Sequence, residues 1–475
     1  MGINAAVDAN GAEGRIVSML ATLTLLISVY AAPATAGSSS VHLVKDITAG
    51  VTGSQIGAMT EVGHTLFFAA NDHVHGKELW KSDGTAAGTV LVRDIDPGRA
   101  SSKPYELTDV GGTLYFNAWE GTHGSELWKS DGTCAGTVMV KDIRPGSSGS
   151  YPDNLTDFNG TLFFSATDGK DGPELWKSDG TAAGTVMVKD VSPGSHEGSS
   201  PLDLTDSNGT LFFSADDGRH GRELWKSDGT AAGTVLVKDI NPGGSSASLY
   251  ELTDVKGTLY LNADDGTHGP ELWKSDGTEA GTVMVKDINP GRQSALSCLT
   301  EFTALLYFSA NDGTHGSELW KSDGTDGGTV MVKDTWQGSD GGFFTGLTVV
   351  GRNVFFVADD GTHGGQLWKS DGTESGTVMV RDIHPGLASP ETNPFWVPPE
   401  LTDVQGTLYF VTADAIHGYE LWKSDGTSAG TVMVADLYRG GRSSLPHAIT
   451  NRGGSVYFSA YTPVTGRELW RAQAG

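Results

Sequence analysis

A chain of 475 residues with 66 glycines, 18 prolines and 37% hydrophobic residues suits many short strands joined by tight turns, and it excludes a fold of long helices. The formal net charge of −26 repels phosphate backbones and anionic lipid, which excludes nucleic acid and acidic membrane surfaces as partners. Cys134 and Cys298 stand at different places in different repeats, so no disulfide framework is expected.

The N-terminal segment reads as an export signal. Arg15 precedes an apolar run over residues 16–30, and Ala34-Thr35-Ala36 forms a small-x-small cleavage site, so residues 1–36 are expected to be removed and 37–475 to form the mature, secreted protein. The run is too short for a convincing membrane span, and no later stretch is apolar enough to cross a bilayer.

Beyond the signal the chain repeats. The tryptophans Trp80, Trp128, Trp176, Trp225, Trp273, Trp320, Trp368, Trp422 and Trp470 follow one another at intervals of 48, 48, 49, 48, 47, 48, 54 and 48 residues. A period this steady marks a repeat architecture. One unit shows four strand-like pieces, a to d, at residues 105–109, 113–118, 126–130 and 137–143, with glycine-bearing turns between a and b and between c and d. Strands b and d are apolar at consecutive positions, as in Leu114-Tyr115-Phe116 and Val138-Met139-Val140, so both faces of each small sheet need cover. A ring of four-stranded sheets supplies it.

The two ends of the chain predict how the ring closes. Residues 41–47 match strand d, whereas the chain ends on the strand-c sequence Glu468-Leu469-Trp470 with no strand d of its own. The expected fold is therefore all-β: a single closed propeller of nine four-stranded blades, the last completed by the N-terminal strand. An open superhelical array is the alternative.

At these residues the chain resembles the bacterial ELWxxDGT-repeat family, whose motif stands here as Glu126-Leu127-Trp128-Lys129-Ser130-Asp131-Gly132-Thr133. The resemblance spans roughly Val41 to Trp470; it implies a secreted, propeller-like repeat protein and carries no settled activity. Gln366 replaces the motif glutamate in the seventh unit, and the ninth ends in Arg471-Ala472 without the Asp-Gly turn.

The b–c and d–a connections share one face, which is the richer in candidate groups. Its b–c loops carry His75, His123, His220, His268, His315, His363 and His417. Equivalent residues on neighbouring blades lie on the order of 10 Å apart, too far to share one ion. Hydrogen bonding within each loop is the expected role, although His363 and His417 also border the irregular loops. No cofactor is required, but Asp264, Asp265 and Glu271 within one unit form a candidate calcium set.

Departures from the repeat single out the d–a loops before the seventh and eighth strand a. There Trp336, Phe343, Phe395 and Trp396 lie out of register, Glu400 follows, and the aromatics form either a patch for carbohydrate or peptide or the packing of the longer loop. The position before the strand-a leucine also varies, through Glu106, Asn154, Asp203, Glu251, Cys298 and Glu400. Those carboxylates serve either as acid and base at the channel mouth or as charges that block wrong strand pairing. No recognisable nucleophile triad, metalloprotease helix or phosphate-binding glycine loop is present.

The expected function is thus a non-catalytic, secreted, monomeric scaffold that binds an extracellular carbohydrate, protein or cell surface through its b–c and d–a face. The alternative is an extracellular hydrolase or lyase acting on polysaccharide at the channel mouth.

Overall fold

A computed structural model describes residues 41–338, 344–385 and 400–473. The described residues form nine four-stranded antiparallel sheets and no helix. No helix among them is long and apolar enough to cross a membrane. The signal read at residues 1–36 lies outside the described residues.

Blade 2 shows the pattern: strands Tyr105–Val110, Thr113–Glu120, Gly124–Ser130 and Val138–Lys141 pair in sequence order as a meander. In this register Phe116 lies opposite Trp128 and Trp128 opposite Met139. The c–d turn closes through its own side chains. Asp131 Oδ1 accepts from the Thr133 N–H at 2.8 Å and from its hydroxyl at 2.7 Å, and Gly132 takes a φ of +84° that a side chain would strain. The Ser-Asp-Gly-Thr half of the motif is therefore a turn.

The Leu-Trp half is packing. Strand b of blade 2 is buried from Leu114 to Ala118, and Trp128 is 5% exposed. One cluster joins Phe67, Leu79, Val92 and Ile95 of blade 1 to Leu114, Phe116 and Trp128 of blade 2, and like clusters recur around the ring. Cations cross the same seams. Arg93 of blade 1 lies 5.7 Å above the Trp128 ring, and Lys129 donates to the Gly180 carbonyl of blade 3 at 2.8 Å.

The a strands line the centre, because each contacts the a strand of the next blade and the ninth, His447–Arg452, contacts the first, Met59–Val62. The ring is closed as the chain ends predict. Val41–Lys45 pairs antiparallel with Gly466–Gln473, setting Leu43 opposite Trp470, and so completes the ninth blade.

A buried carboxyl fixes each crossover from one blade to the next. In blade 1, Glu78 accepts from the Ile95 N–H at 3.0 Å, the Ser102 N–H at 2.8 Å and the Ser102 hydroxyl at 2.5 Å. At the seam, Glu468 takes the Ile47 N–H at 3.1 Å, the Thr48 N–H at 3.3 Å and the Ser54 hydroxyl at 2.7 Å. The last blade thereby holds the first crossover as Glu78, Glu174 and Glu420 hold theirs, through crossover N–H groups and a serine hydroxyl.

Glu468→Ala leaves those three donors without their acceptor and is expected to cost about 3 kcal/mol, at about 1 kcal/mol or more for each buried unpaired group. Glu468→Gln keeps an acceptor oxygen and is expected to lose less than about 1 kcal/mol. Urea melts of the two variants check this ordering.

Candidate functional site

The left-handed backbone of the crossovers decides which side chains reach the channel mouth. Two positions take positive φ in most of the described crossovers. The first, where the crossover enters strand a, holds Gln55, Lys103, Tyr151, Ser200, Ser248, Ala295 and Leu445, with φ between 45° and 51°. The second precedes the strand-a leucine and holds Glu106, Asn154, Asp203, Glu251, Cys298, Glu400 and Ala448, with φ between 44° and 61°. Both vary in chemistry from blade to blade while the backbone does not.

Three carboxylates at the second position join blades. Glu106 accepts from the Leu155 N–H at 3.1 Å, Glu251 from Leu299 at 2.8 Å and Glu400 from Ile449 at 3.0 Å, each reaching the next blade. Glu400, a candidate binding residue from the sequence, is thus bonded across a blade seam. Arg467 lies close enough to stabilise its charge against the upward push of burial.

The loop histidines are tied to their own loops. His363 Nδ1 lies 2.7 Å from Asp360 Oδ2 and His417 Nδ1 lies 2.8 Å from Asp414 Oδ2; His75, His123, His220, His268 and His315 are held likewise. The calcium candidates are engaged separately. Asp264 accepts from the Gly266 N–H, Asp265 from Thr267 and His268, and the fully buried Glu271 from Ile288 and Asn289. Among the described residues no group of three or more His, Cys, Asp or Glu has the geometry to hold a metal ion.

Of the expected aromatic patch, Trp336 is half-buried against Gly361 in the next blade's b–c loop, where its ring leaves no room for a Cβ. Phe343, Phe395 and Trp396 lie outside the described residues.

The described residues place an aromatic cleft elsewhere, across blades 1 to 3. A cleft of about 610 Å³ is lined by Arg99, Lys103, Tyr105, Trp119, Ser125 and Tyr151 among others. Tyr105 is 40% exposed, Trp119 39% and Tyr151 56%. A second cleft of about 350 Å³, lined by Gln55, Asn71, Lys77 and Pro104, shares Ser101, Lys103 and Tyr105 with the first, so the two form one groove.

A buried network sets the Tyr105 ring. The fully buried Asn117 donates to Tyr105 Oη at 2.6 Å and to the Pro152 carbonyl at 2.7 Å, and it accepts from the Ser125 hydroxyl at 2.5 Å. Burial, with Asp153 and Glu106 nearby, pushes the Tyr105 phenol up to about 12, so it stays protonated.

The groove's cations have no acidic partner. Lys77, Lys103 and Arg99 form no ion pair among the described residues, and no carboxylate lines either cleft. The neighbouring His447 is held at about 4 by burial and by Arg467 and Lys77, so it is neutral near pH 7.

Sequence reasoning passed over this groove, although one signal was available. Trp119 stands where the other units carry Asn71, Thr167, Asp216, Asp264, Asn311, Asp359, Ala413 and Tyr461, so it shares an aromatic at this position with the ninth blade alone.

No protein-family model and no curated protein matches the chain. Solved structures do resemble it. A puromycin hydrolase is 15% identical, with 81% of this chain and 61% of that one covered at a TM-score of 0.38. A prolyl endopeptidase is 13% identical, with 70% and 49% covered at 0.39. The β-propeller domain of the trilobed protease from Pyrococcus furiosus is 12% identical, with 68% and 96% covered at 0.35. The chain thus spans about three fifths of the puromycin hydrolase and half of the prolyl endopeptidase. What the chain resembles are peptidases and a protease domain, not the partner-binding scaffold or the polysaccharide-cleaving enzyme expected from the sequence.

The buried motif glutamates predict a pH dependence. Burial raises Glu78, Glu126, Glu271, Glu318 and Glu468 to about 7 and Glu223 to about 8. In blade 7 the amide of Gln366 stands in for the protonated acid, with Nε2 donating to the His363 carbonyl at 2.9 Å and to Asp382 Oδ1 at 3.3 Å. In seven glutamate blades the matching aspartate Oδ1, as in Asp94 and Asp142, is buried without a partner, as an acceptor facing a second carboxylate would be. A carboxyl whose folded pKa is raised contributes stability that is full below about 4.5 and lost as pH rises through about 7. Hydrogen bonding to Asp312 raises His315, which acts in the same direction. Asp312 is held low by His315 against burial, and its contribution is lost only as pH falls through that low value. The melting temperature is expected to be highest near pH 5 and to fall toward pH 7.5. Glu126→Gln is expected to flatten part of that fall without lowering the melting temperature at pH 7.5, and calorimetry across the range checks both.

Proposed function

We propose that the ring is the peptide-handling element of a proteolytic system and receives short peptides in the groove across blades 1 to 3. The observation that carries this reading is the pairing of three part-exposed aromatic rings with unpaired cations, in a groove lined by no acid, on a protein of net charge −26. Aromatic faces take apolar side chains and peptide planes, while cations take carboxylates, and a peptide offers all of these on one short molecule. A neutral glycan would use the rings and leave the cations idle. The export signal read at residues 1–36 supports an extracellular or cell-surface setting, where peptides are released from larger proteins.

Isothermal titration of the mature ring against a set of short peptides tests the reading. Trp119→Ala is expected to weaken peptide binding about tenfold, since stacking on one aromatic is worth about 1 kcal/mol or more, and to leave the melting temperature nearly unchanged. Binding of soluble polysaccharides in place of peptides would sink the proposal.

A further inference from the structure

The smaller compartment of the groove says which part of a peptide it takes. Resting on the peptide reading above, we infer that Lys77 and Lys103 receive the free C-terminal carboxylate of a peptide, while Tyr105, Trp119 and Tyr151 receive an apolar side chain at or next to that terminus. The groove therefore distinguishes a cleaved peptide from an uncut chain.

Composition comes first. In a chain with 58 acidic and 32 basic residues, a cleft lined by two lysines and by no carboxylate departs from the overall charge of the molecule. Most of the motif lysines are in fact spent across blade seams, as Lys129 is on Gly180 and Lys177 on Gly229. Lys77 and Lys103 have no such partner and line one cleft. Glu106 and Asp153 bear on the Tyr105 phenol but line neither compartment, and Glu106 is occupied by the Leu155 N–H.

Local geometry holds the pair in place. The Lys103 N–H donates to the Lys77 carbonyl at 3.0 Å, and the Lys77 N–H donates to the Ser101 hydroxyl at 2.9 Å, so the two backbones are bonded together. Lys103 sits at φ +47°, the left-handed position that also presents Gln55 and Tyr151 in the flanking blades. Lys77 is half-buried, and its ammonium lies where a Cβ on Gly57 would meet it at 3.1 Å. A partly desolvated ammonium attracts an anion more strongly than one in water. Asn71 adds a donor: its Oδ1 already accepts the His73 N–H at 2.7 Å, which leaves the amide NH₂ for a ligand oxygen.

The compartments meet at Lys103 and Tyr105, so carboxylate and apolar side chain must belong to the same or adjacent residues of the ligand. An internal peptide segment carries no charge on its backbone, and an N-terminal ammonium is repelled by the two lysines. Among backbone groups only the C-terminus supplies an anion beside a side chain, and an internal Asp or Glu would have to place its longer side chain over the lysines instead. Hydrolysis of a peptide bond consumes one water and releases a carboxylate on one fragment and an amine on the other. The reaction class that supplies this ligand is therefore endoproteolysis after an apolar or aromatic residue.

Matched hexapeptides ending in phenylalanine, one a free acid and one a C-terminal amide, test the inference by titration against the mature ring. The acid is expected to bind at least tenfold more tightly, with the ratio shrinking from 50 mM to 500 mM salt. Lys103→Met, at an exposed site where folding is not at risk, and Lys77→Met are expected to bring the ratio toward one. Trp119→Ala is expected to weaken both peptides alike. Equal binding of acid and amide overturns the carboxylate inference and leaves the peptide reading standing, whereas binding of neither overturns both. Inorganic phosphate that displaces the acid at equal concentration also overturns the inference, because the lysines would then hold any anion.

Discussion

The ring depends on a carboxyl group buried at the start of each third strand. Glu78 and its counterparts accept backbone and hydroxyl donors from the crossover that leaves the same blade, so one side chain fixes where the chain goes next. A buried polar group with several donors aimed at it is costly to remove and hard to satisfy in any other arrangement. The same interaction recurs at Glu468 across 421 residues of sequence, which makes closure of the ring one more instance of the repeat. Gln366 shows what the site requires: an acceptor for the Ile383 N–H, met at 3.0 Å, and a donor toward Asp382. Glutamate meets both needs only when protonated, and burial raises its pKa toward that form.

With the crossovers fixed, variation is confined to positions that the packing leaves free. The two left-handed positions of each crossover are set by the backbone and not by the residue that occupies them, which is why Lys103, Tyr151 and Ala295 share nearly one φ. A non-glycine residue in that region carries strain of roughly 1 kcal/mol or more, sustained by the crossover's hydrogen bonds. The residues at these positions differ from blade to blade among the described crossovers, so a change there leaves the fold unaltered.

Much of the fold was legible in the sequence because its cause is periodic. Nine tryptophans at one spacing gave nine blades, and the spare strand at residues 41–47 gave the closure, since a missing strand and a surplus one must pair. The site was far less legible. The loop histidines drew attention through their number, yet repetition was the sign that each had a local task, and each is bonded to an acid three residues before it. Glu400 was noticed for its charge, while its partner, the Ile449 N–H, belongs to another blade and is invisible from sequence. Trp119 departed from most of the other units, but its meaning lay in Tyr105 and Tyr151, ordinary residues until the crossovers bring them beside it.

A ring of like blades cannot build a specific site from its repeated residues, because every seam would then carry the same groove. Specificity must come from a seam where neighbours differ, and the difference must lie at positions the fold does not need. Blades 1 to 3 meet that condition: Gln55, Lys103 and Tyr151 occupy one structural position with three chemistries, and Trp119 replaces a polar residue beside them. The acidic remainder of the molecule then acts on what approaches. It disfavours an anionic ligand over most of the surface, so on the proposed reading a peptide is drawn in by its terminus at these cations and held by its side chain.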